Sequence, residues 1–412
     1  MPKISKILLL AVSVVLVLTV FLGVNSSGVS AATDDQDGAY RQINVYSEVL
    51  RHIQTDYVEE PSIPAVTNGA LRGLLESLDS DSSYLTADDY KTFKADKGDK
   101  AQVGINISKR WGYATVVSVV PGSPADKANL NDGDIIEAIG GHDTRDISLA
   151  MIRLMLEGAS GSELDIAVIR PGKSTPEKVT MTRTAVSLPP VSETMYENSS
   201  ILYLKPGILD HEHVQQVEAK LKGMQKAGNK KILLDLRDVA AGDTPEAIRM
   251  ANFLLKSGTI TTLEGQKIEK QTFAAEASKA INATAPVVVL VNRGTAGAAE
   301  IVAAALLDNK RAELVGEKTF GEGSQLKTFE LPDGAALILS VAKYESPSGK
   351  KLEDEGVTPG VQVASNIDDG SGPSEDDGDA TQPSAQPEPK KPVVSVDEQL
   401  TKALDLLKNQ AA

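Results

Sequence analysis

Apolar residues recur at helical spacing near the start of the chain and at shorter spacing further on. In "YRQINVYSEVLRHIQTDYV", Ile43, Tyr46, Leu50, Ile53 and Tyr57 share one helical stripe. "IPAVTNGALRGLLESL" repeats the pattern with Val66, Ala70, Leu74 and Leu78, so residues 36–97 are expected to be helical. From 98 to 186 the pattern turns to short β-like runs, "VGINIS", "ATVVSVV", "DIIEAIGG", "ELDIAVIR" and "EKVTMTRT". One helix interrupts them, "DISLAMIRLML" at 146–156. From 187 to 365 strand and helix alternate: "SILYLKPG", "HVQQVEAKLKGM", "KKILLDLR", "TPEAIRMANFLLKSG", "APVVVLVN" and "AAEIVAAALLDN". Fully apolar strands between helices predict a layered α/β core, because such strands must be covered on both faces. Residues 366–394 read as an acidic Pro/Ser linker, and 395–412 as a short amphipathic helix, "SVDEQLTKALDLLKN".

Lys3 and Lys6 precede an uncharged apolar run from Ile7 to Val24, followed by "NSSGVSAA". A basic start, an apolar stretch and small residues are the marks of an export signal, so 1–32 is expected to be a signal peptide or a membrane anchor. The rest of the chain is then expected outside the cytoplasm, in a periplasmic or other extracytoplasmic space. The formal charge of −15 argues against nucleic acid, because a polyphosphate is bound by clustered lysines and arginines. Between Asp368 and Glu388 stand seven acids and no base, which suits a solvated linker. There is no cysteine, which removes thiol chemistry, disulfides and thiolate metal sites. Of the four histidines, His211 and His213 look like a metal pair, but side chains two apart on a helix do not face each other. No metal and no cofactor are expected.

"PGSPADKANLNDGDIIEAIGG" joins two of the β runs through a short helix at Ala125–Ala128 and a turn at Asn131–Gly133. With Gln102-Val103-Gly104-Ile105 ahead of it, the segment 98–186 resembles a PDZ domain in its bacterial protease-associated strand order. Asn129 stands where such domains usually have glycine, a mild change, since asparagine also visits the left-handed region. The resemblance implies a loop, Gln102 to Ile105, whose N–H groups take a C-terminal carboxylate while the peptide adds to a sheet edge. Met151 and Met155, on the 146–156 helix, are candidates to line the pocket for the last side chain, with core filling as the alternative.

The order of "LDSDSSYL", the PDZ-like segment, "LLDLRDVAAG", "VLVNRGTAGAAEIVAAAL", "ELVGEKTFGEGSQ", "YESPSG" and "GVTPGVQV" resembles the carboxyl-terminal processing (tail-specific) serine peptidases over nearly the whole chain. The resemblance implies a crotonase-like layered α/β core with an inserted, β-rich PDZ domain and N-terminal helices. It implies also the family activity, cleavage of exported proteins by a Ser–Lys dyad. In that dyad a lysine held partly desolvated takes the proton of a serine hydroxyl, and backbone amides bind the oxyanion.

Here both dyad positions are substituted. The family's Ser-Ala-Ser-Ala-Ser-Glu falls on Thr295 to Glu300, which puts Gly297 at the nucleophile and Ala299 at the serine before the Glu. Phe-Gly-Lys-Gly falls on Phe320-Gly321-Glu322-Gly323, which puts Glu322 at the base. The glutamine that supports the lysine falls on Leu326. The separation of 25 positions between Gly297 and Glu322 is that of the family dyad, so the frame is intact and the side chains have changed. Asp-Leu-Arg-x-Asn-x-Gly-Gly reads Asp235 to Gly242, with Val239 for Asn and Ala241 for the first Gly. Ala241, Gly242 and Ala298 mark the oxyanion region, and Ala241 raises the question whether a positive φ was needed there.

The expected function is therefore an exported homologue of these peptidases that is proteolytically inactive and binds C-terminal peptides or a partner peptidase. The alternative is an active serine-type endopeptidase with relocated residues, for which Thr295, Ser324, Lys318 and Lys327 are the nearby candidates. Losing one member of a nucleophile–base unit costs on the order of a millionfold in turnover. The resemblance further implies that the terminal helices pack on a second subunit, either a copy of this chain or an active relative, and that an uncleaved N-terminus would contact the membrane.

Overall fold

A computed structural model describes residues 33–95, 100–110, 112–224, 226–364 and 396–410. The expected signal or anchor and nearly all of the acidic linker lie outside the described residues. The chain divides into two units, 1–68 and 69–412.

The first unit is built around α1 (Thr33–Asp56) and enters α2 (Ile63–Glu76). Along α1 the expected stripe is present, but Tyr40, Ile43 and Tyr46 are exposed. In the second unit the remainder of α2 departs from the expected stripe by one position. Leu71 and Leu75 pack with Tyr84 and Ala335, whereas Leu74 and Leu78 point outward at 62 % and 65 % exposure. One residue is about 100° of helix, so an apolar run as wide as "LRGLLESL" leaves the buried edge undetermined until a partner surface is present.

After β1 (Ser83–Leu85) and α3 (Ala87–Ala95) comes a six-stranded antiparallel sheet with its own core. Its strands are β2 (Ile105–Arg110), β3 (Tyr113–Val119), β4 (Ile135–Ile139), β6 (Glu163–Ile169) and β7 (Glu177–Thr182), in that order, with β5 (His142–Asp143) paired to β4. The short helix α4 (Pro124–Lys127) is capped by Ser123, whose hydroxyl accepts from the Asp126 amide. It ends with Asn129 at φ 54°, the left-handed residue that the sequence calls for. Helix α5 (Leu149–Leu156) buries Leu149, Ile152 and Leu156 against this sheet.

The α/β core is a six-stranded sheet in the order β17 (Val361–Gln362), β14 (Glu313–Gly316), β13 (Val287–Val291), β10 (Lys231–Asp235), β9 (Ile201–Lys205), β8 (Ser192–Tyr196). All neighbours are parallel except β8 against β9. The side chains alternate strictly between two apolar layers. Leu202, Leu204, Ile232, Leu234, Val287, Val289 and Val291 face helices α6 (His211–Gly223), α7 (Thr244–Leu254) and α8 (Ala298–Asp308). Ile201, Leu233, Val288, Leu290 and Val315 face the last helix, α9 (Glu398–Asn409), through Ala403 and Leu407. That helix is tied at both ends. Arg237 grips its N-cap Asp397 at 3.0 and 2.9 Å, and Lys231 donates to the Leu407 and Gln410 carbonyls at its C-terminus.

A further sheet joins β1, β16 (Ala336–Glu345), β11 (Thr259–Gly265) and β12 (Ile268–Ala274), with β15 (Ser324–Glu330) on β16. The hairpin β11–β12 was not anticipated, because its polar residues, "EGQKIEKQT", hide a strand alternation. The "HEH" pair is a helix start and not a metal site. Asp210 caps α6, accepting from the His213 amide at 2.8 Å and pairing with His213 Nδ1 at 2.7 Å. His211 pairs with Glu246 at 2.9 Å.

Candidate functional site

The turn between β13 and α8 is stitched to the turn after β10. Asn292 accepts from the Asp238 and Gly294 amides and donates to the Asp238 carboxylate at 2.7 Å. The Thr295 hydroxyl is fully buried, donates to the Leu236 carbonyl at 2.8 Å and accepts from the Asn292 amide. Committed to two backbone groups, it is a tie between turns. The Ala296 amide bonds the Val239 carbonyl at 3.0 Å, and the Phe320 amide bonds the Thr295 carbonyl at 2.9 Å.

Gly297 follows, at φ 58° and ψ −118°, a conformation reserved almost entirely for glycine. A side chain grown from it would meet a single neighbour, Glu322 Oε2, 3.9 Å from the Cβ. Sequence positions 297 and 322 are thus brought face to face, with open room for a small side chain between them. The Ala298 amide, at the first turn of α8, and the Gly242 amide have no hydrogen-bond partner among the described residues. Gly242, at φ 154°, is pressed against Leu209, whose Cβ would lie 2.6 Å from an added side chain. Ala241 does not take a positive φ; in this turn Asp238 and Gly242 do, so alanine at 241 imposes no strain. Val239 is buried in the helix-facing core layer.

What holds the 297 and 322 turns together is Glu300, a fully buried carboxylate inside α8. It accepts from the Gly297 amide at 3.0 Å, the Gly321 and Glu322 amides at 2.8 Å each, and the Thr319 hydroxyl. Burial pushes its carboxyl up to about 7, against these hydrogen bonds, which favour the anion. The sequence carries a signal for this residue: one charge in the apolar run "AAEIVAAAL".

Around Glu322 the structure adds residues that sequence reasoning missed. Arg153, on α5, comes within 3.7 Å of the Glu322 carboxylate and also donates to the Ile107 carbonyl at 3.2 Å. Glu353 is buried and accepts from the Gly323 amide at 2.7 Å. Burial lifts Glu353 to about 7 and Asp81 to about 6, and it raises Glu322 as well, with Arg153 pulling Glu322 down and Glu353 pushing it up. Leu326 is exposed on β15, at 41 %. Lys318 and Lys327 are exposed too, Lys327 lying over the Phe329 ring.

The second part of the site is the Gln102–Ile105 loop. Gly104 sits at φ 82° with Ser123 packed where a side chain would be, 2.3 Å from its Cβ position. Its carbonyl accepts from the Val120 amide, and the Val103 carbonyl accepts from the Ala125 amide. The Val103 and Gly104 amides have no partner among the described residues. Beside the loop a cavity of about 330 Å³ lies between β2 and α5. Gln102, Ile105, Ile107, Arg153 and Leu156 line it from one side, and Ala241, Gly242 and Glu322 close it from the core. Met151 and Met155 are not among its lining. Met155 packs into the core beneath, because α5 turns Arg153 and Leu156 toward the groove. Among the described residues no group of three or more His, Asp or Glu converges as a metal site.

Comparison with known proteins agrees on family and fold. Residues 201–363 match the model of peptidase family S41, and 92–169 match the PDZ domain. The carboxyl-terminal-processing protease of Synechocystis is 31 % identical over 368 residues, covering 85 % of this chain and 86 % of that protein. A chloroplastic carboxyl-terminal-processing peptidase of Arabidopsis thaliana is 32 % identical over 75 % of this chain and 63 % of its own length. Among solved structures, a photosystem II D1 C-terminal processing protease superposes with a TM-score of 0.65 at 25 % identity, covering 78 % of this chain and 92 % of that one.

Proposed function

We propose that this chain, which belongs to the carboxyl-terminal-processing peptidases, has given up peptide cleavage and works by holding C-terminal tails in the groove of its PDZ domain. The observation that carries this is the pairing of Gly297 with Glu322. The backbone still presents position 297 to position 322, but no hydroxyl stands at the first and no amine at the second. The Thr295 hydroxyl, a candidate for a relocated nucleophile, is taken up by the Leu236 carbonyl. A bound tail would place its carboxylate on the Val103 and Gly104 amides and run along β2, toward the turn at Ala241 and Gly242.

The N-terminal pattern supports a place of action outside the cytoplasm, either free or anchored. The exposed Tyr40, Ile43 and Tyr46 of α1 offer a surface for a second subunit, a copy of this chain or an active relative. Such a subunit would make the protein an adaptor or regulator of proteolysis.

The test has two arms. Purified protein incubated with an unfolded substrate ending in an apolar residue is expected to leave it intact. A free-acid peptide is expected to bind at least about tenfold more tightly than its amidated form, since only the acid can use the loop amides. Cleavage that vanishes in Thr295→Ala or Ser324→Ala would overturn the inactive reading, and equal affinity for acid and amide would overturn tail binding. Gly297→Ser combined with Glu322→Lys is the constructive control, because any activity it gains must come from those two positions.

A further inference from the structure

We propose, resting on the reading that tails dock between β2 and α5, that the groove selects tails with a lysine or arginine upstream of an apolar C-terminal residue, and that Glu322 reads that charge. The cavity wall is of two kinds. Ile105, Ile107 and Leu156 supply an apolar floor, along which the long stem of a lysine or arginine can lie. Glu322 is the carboxylate that the core contributes to the wall.

Glu322 belongs to a cluster of carboxylates that outnumbers the cation beside it. Among the described residues Arg153 is the one lining cation; it stands 3.7 Å from Glu322, is 43 % exposed at its side chain, and shares its guanidinium with the Ile107 carbonyl. Behind Glu322 stand two further buried carboxylates, Glu353 and Asp81. Burial is the first cause of the raised proton affinity of all three, and repulsion among these carboxylates adds to it. A second cation entering the cavity would lower the energy of all three. A metal ion is a poor candidate, since no three ligands converge there among the described residues. A flexible cationic side chain needs no such geometry, and a peptide in the groove brings one with it.

The experiment titrates the full chain with labelled free-acid peptides that end in an apolar residue. Lysine, norleucine or glutamate is placed in turn at each upstream position. At one register lysine is expected to bind about tenfold more tightly than norleucine, with glutamate the weakest. The lysine advantage is expected to fall below about twofold in Glu322→Gln, while the norleucine peptide keeps its affinity within about twofold. Half-molar salt is expected to shrink the advantage in the unaltered protein as well, which provides a readout that does not depend on the variant folding. Equal affinity for lysine and norleucine at every register, or a lysine preference that survives in Glu322→Gln, overturns the selectivity and leaves tail binding standing. Absence of binding by every free-acid peptide overturns tail binding and the selectivity with it.

Discussion

Two turns of this site rest on glycine, and they are glycine for different reasons. Gly104 is held at φ 82° with Ser123 filling the place of its side chain, so both conformation and space require glycine. Gly297 is held at φ 58° with nothing before it until Glu322 Oε2, 3.9 Å from the Cβ position. There the backbone demands a strained residue and the packing leaves room for a side chain. The first turn is fitted to the groove it serves. The second keeps the shape of a place built to present something, and Glu300 goes on holding it in that shape.

The comparison can be broken at four points, taken from the largest effect down. Glu300→Ala would leave the Gly297, Gly321 and Glu322 amides without their acceptor. Each unsatisfied amide costs about 1–3 kcal/mol, so denaturant unfolding is expected to show a loss of at least about 3 kcal/mol. Next, Gly104→Ala should cost about 2–4 kcal/mol through overpacking on Ser123 and the left-handed φ, and should abolish the preference for free-acid peptides. Adding Ser123→Gly is expected to restore only the steric share. Third, Gly297→Ser should cost about 1–3 kcal/mol, from backbone strain alone. If it proves costlier than Gly104→Ala, the room seen before Gly297 is not usable room.

The smallest effect is in pH. Glu300, Glu353 and Asp81 have folded-state proton affinities above their ordinary values, reaching about 7, 7 and 6. Below about pH 4 both folded and unfolded forms are protonated, and these groups contribute nothing to the pH dependence. As pH rises to about 7, the unfolded chain releases these protons while the folded chain holds them, so folding stability falls across that window. Thermal unfolding is expected at a higher temperature at pH 5.5 than at pH 7.5. In Glu353→Gln the slope should flatten by about 1 kcal/mol. For Glu353 and its neighbour Glu322 the facing charges are Arg153 on α5 and Asp81 after α2, with Asp354 alongside.

Much of this was legible in the chain because the signals were local. "VVVLV" can only be a strand covered on both faces, and Asn129 after α4 announced a left-handed residue. That Gly297 and Glu322 stand opposite each other was implied by the family resemblance, whose dyad separation of 25 positions they keep. What stayed hidden depended on long-range packing. Whether Leu74 or Leu75 turns inward is settled by Tyr84 and Ala335, which come later in the chain. Whether Met155 or Leu156 reaches the groove is set by how α5 lies on its sheet. Asp81 and Glu353 carry no mark in the sequence, since nothing there says that a carboxylate will be buried beside another one. Arg153 was missed for the same reason: its partner is 169 positions away.

The last helix has a consequence for how the protein is made. Ile201, Leu233, Val288, Leu290 and Val315 are covered largely by α9, through Leu400, Ala403, Leu404 and Leu407. A chain that stopped at residue 390 would hold nearly every strand and helix of the core, with this layer short of its helical cover. A premature stop in the linker is therefore expected to yield an aggregating fragment in place of a slightly shortened protein.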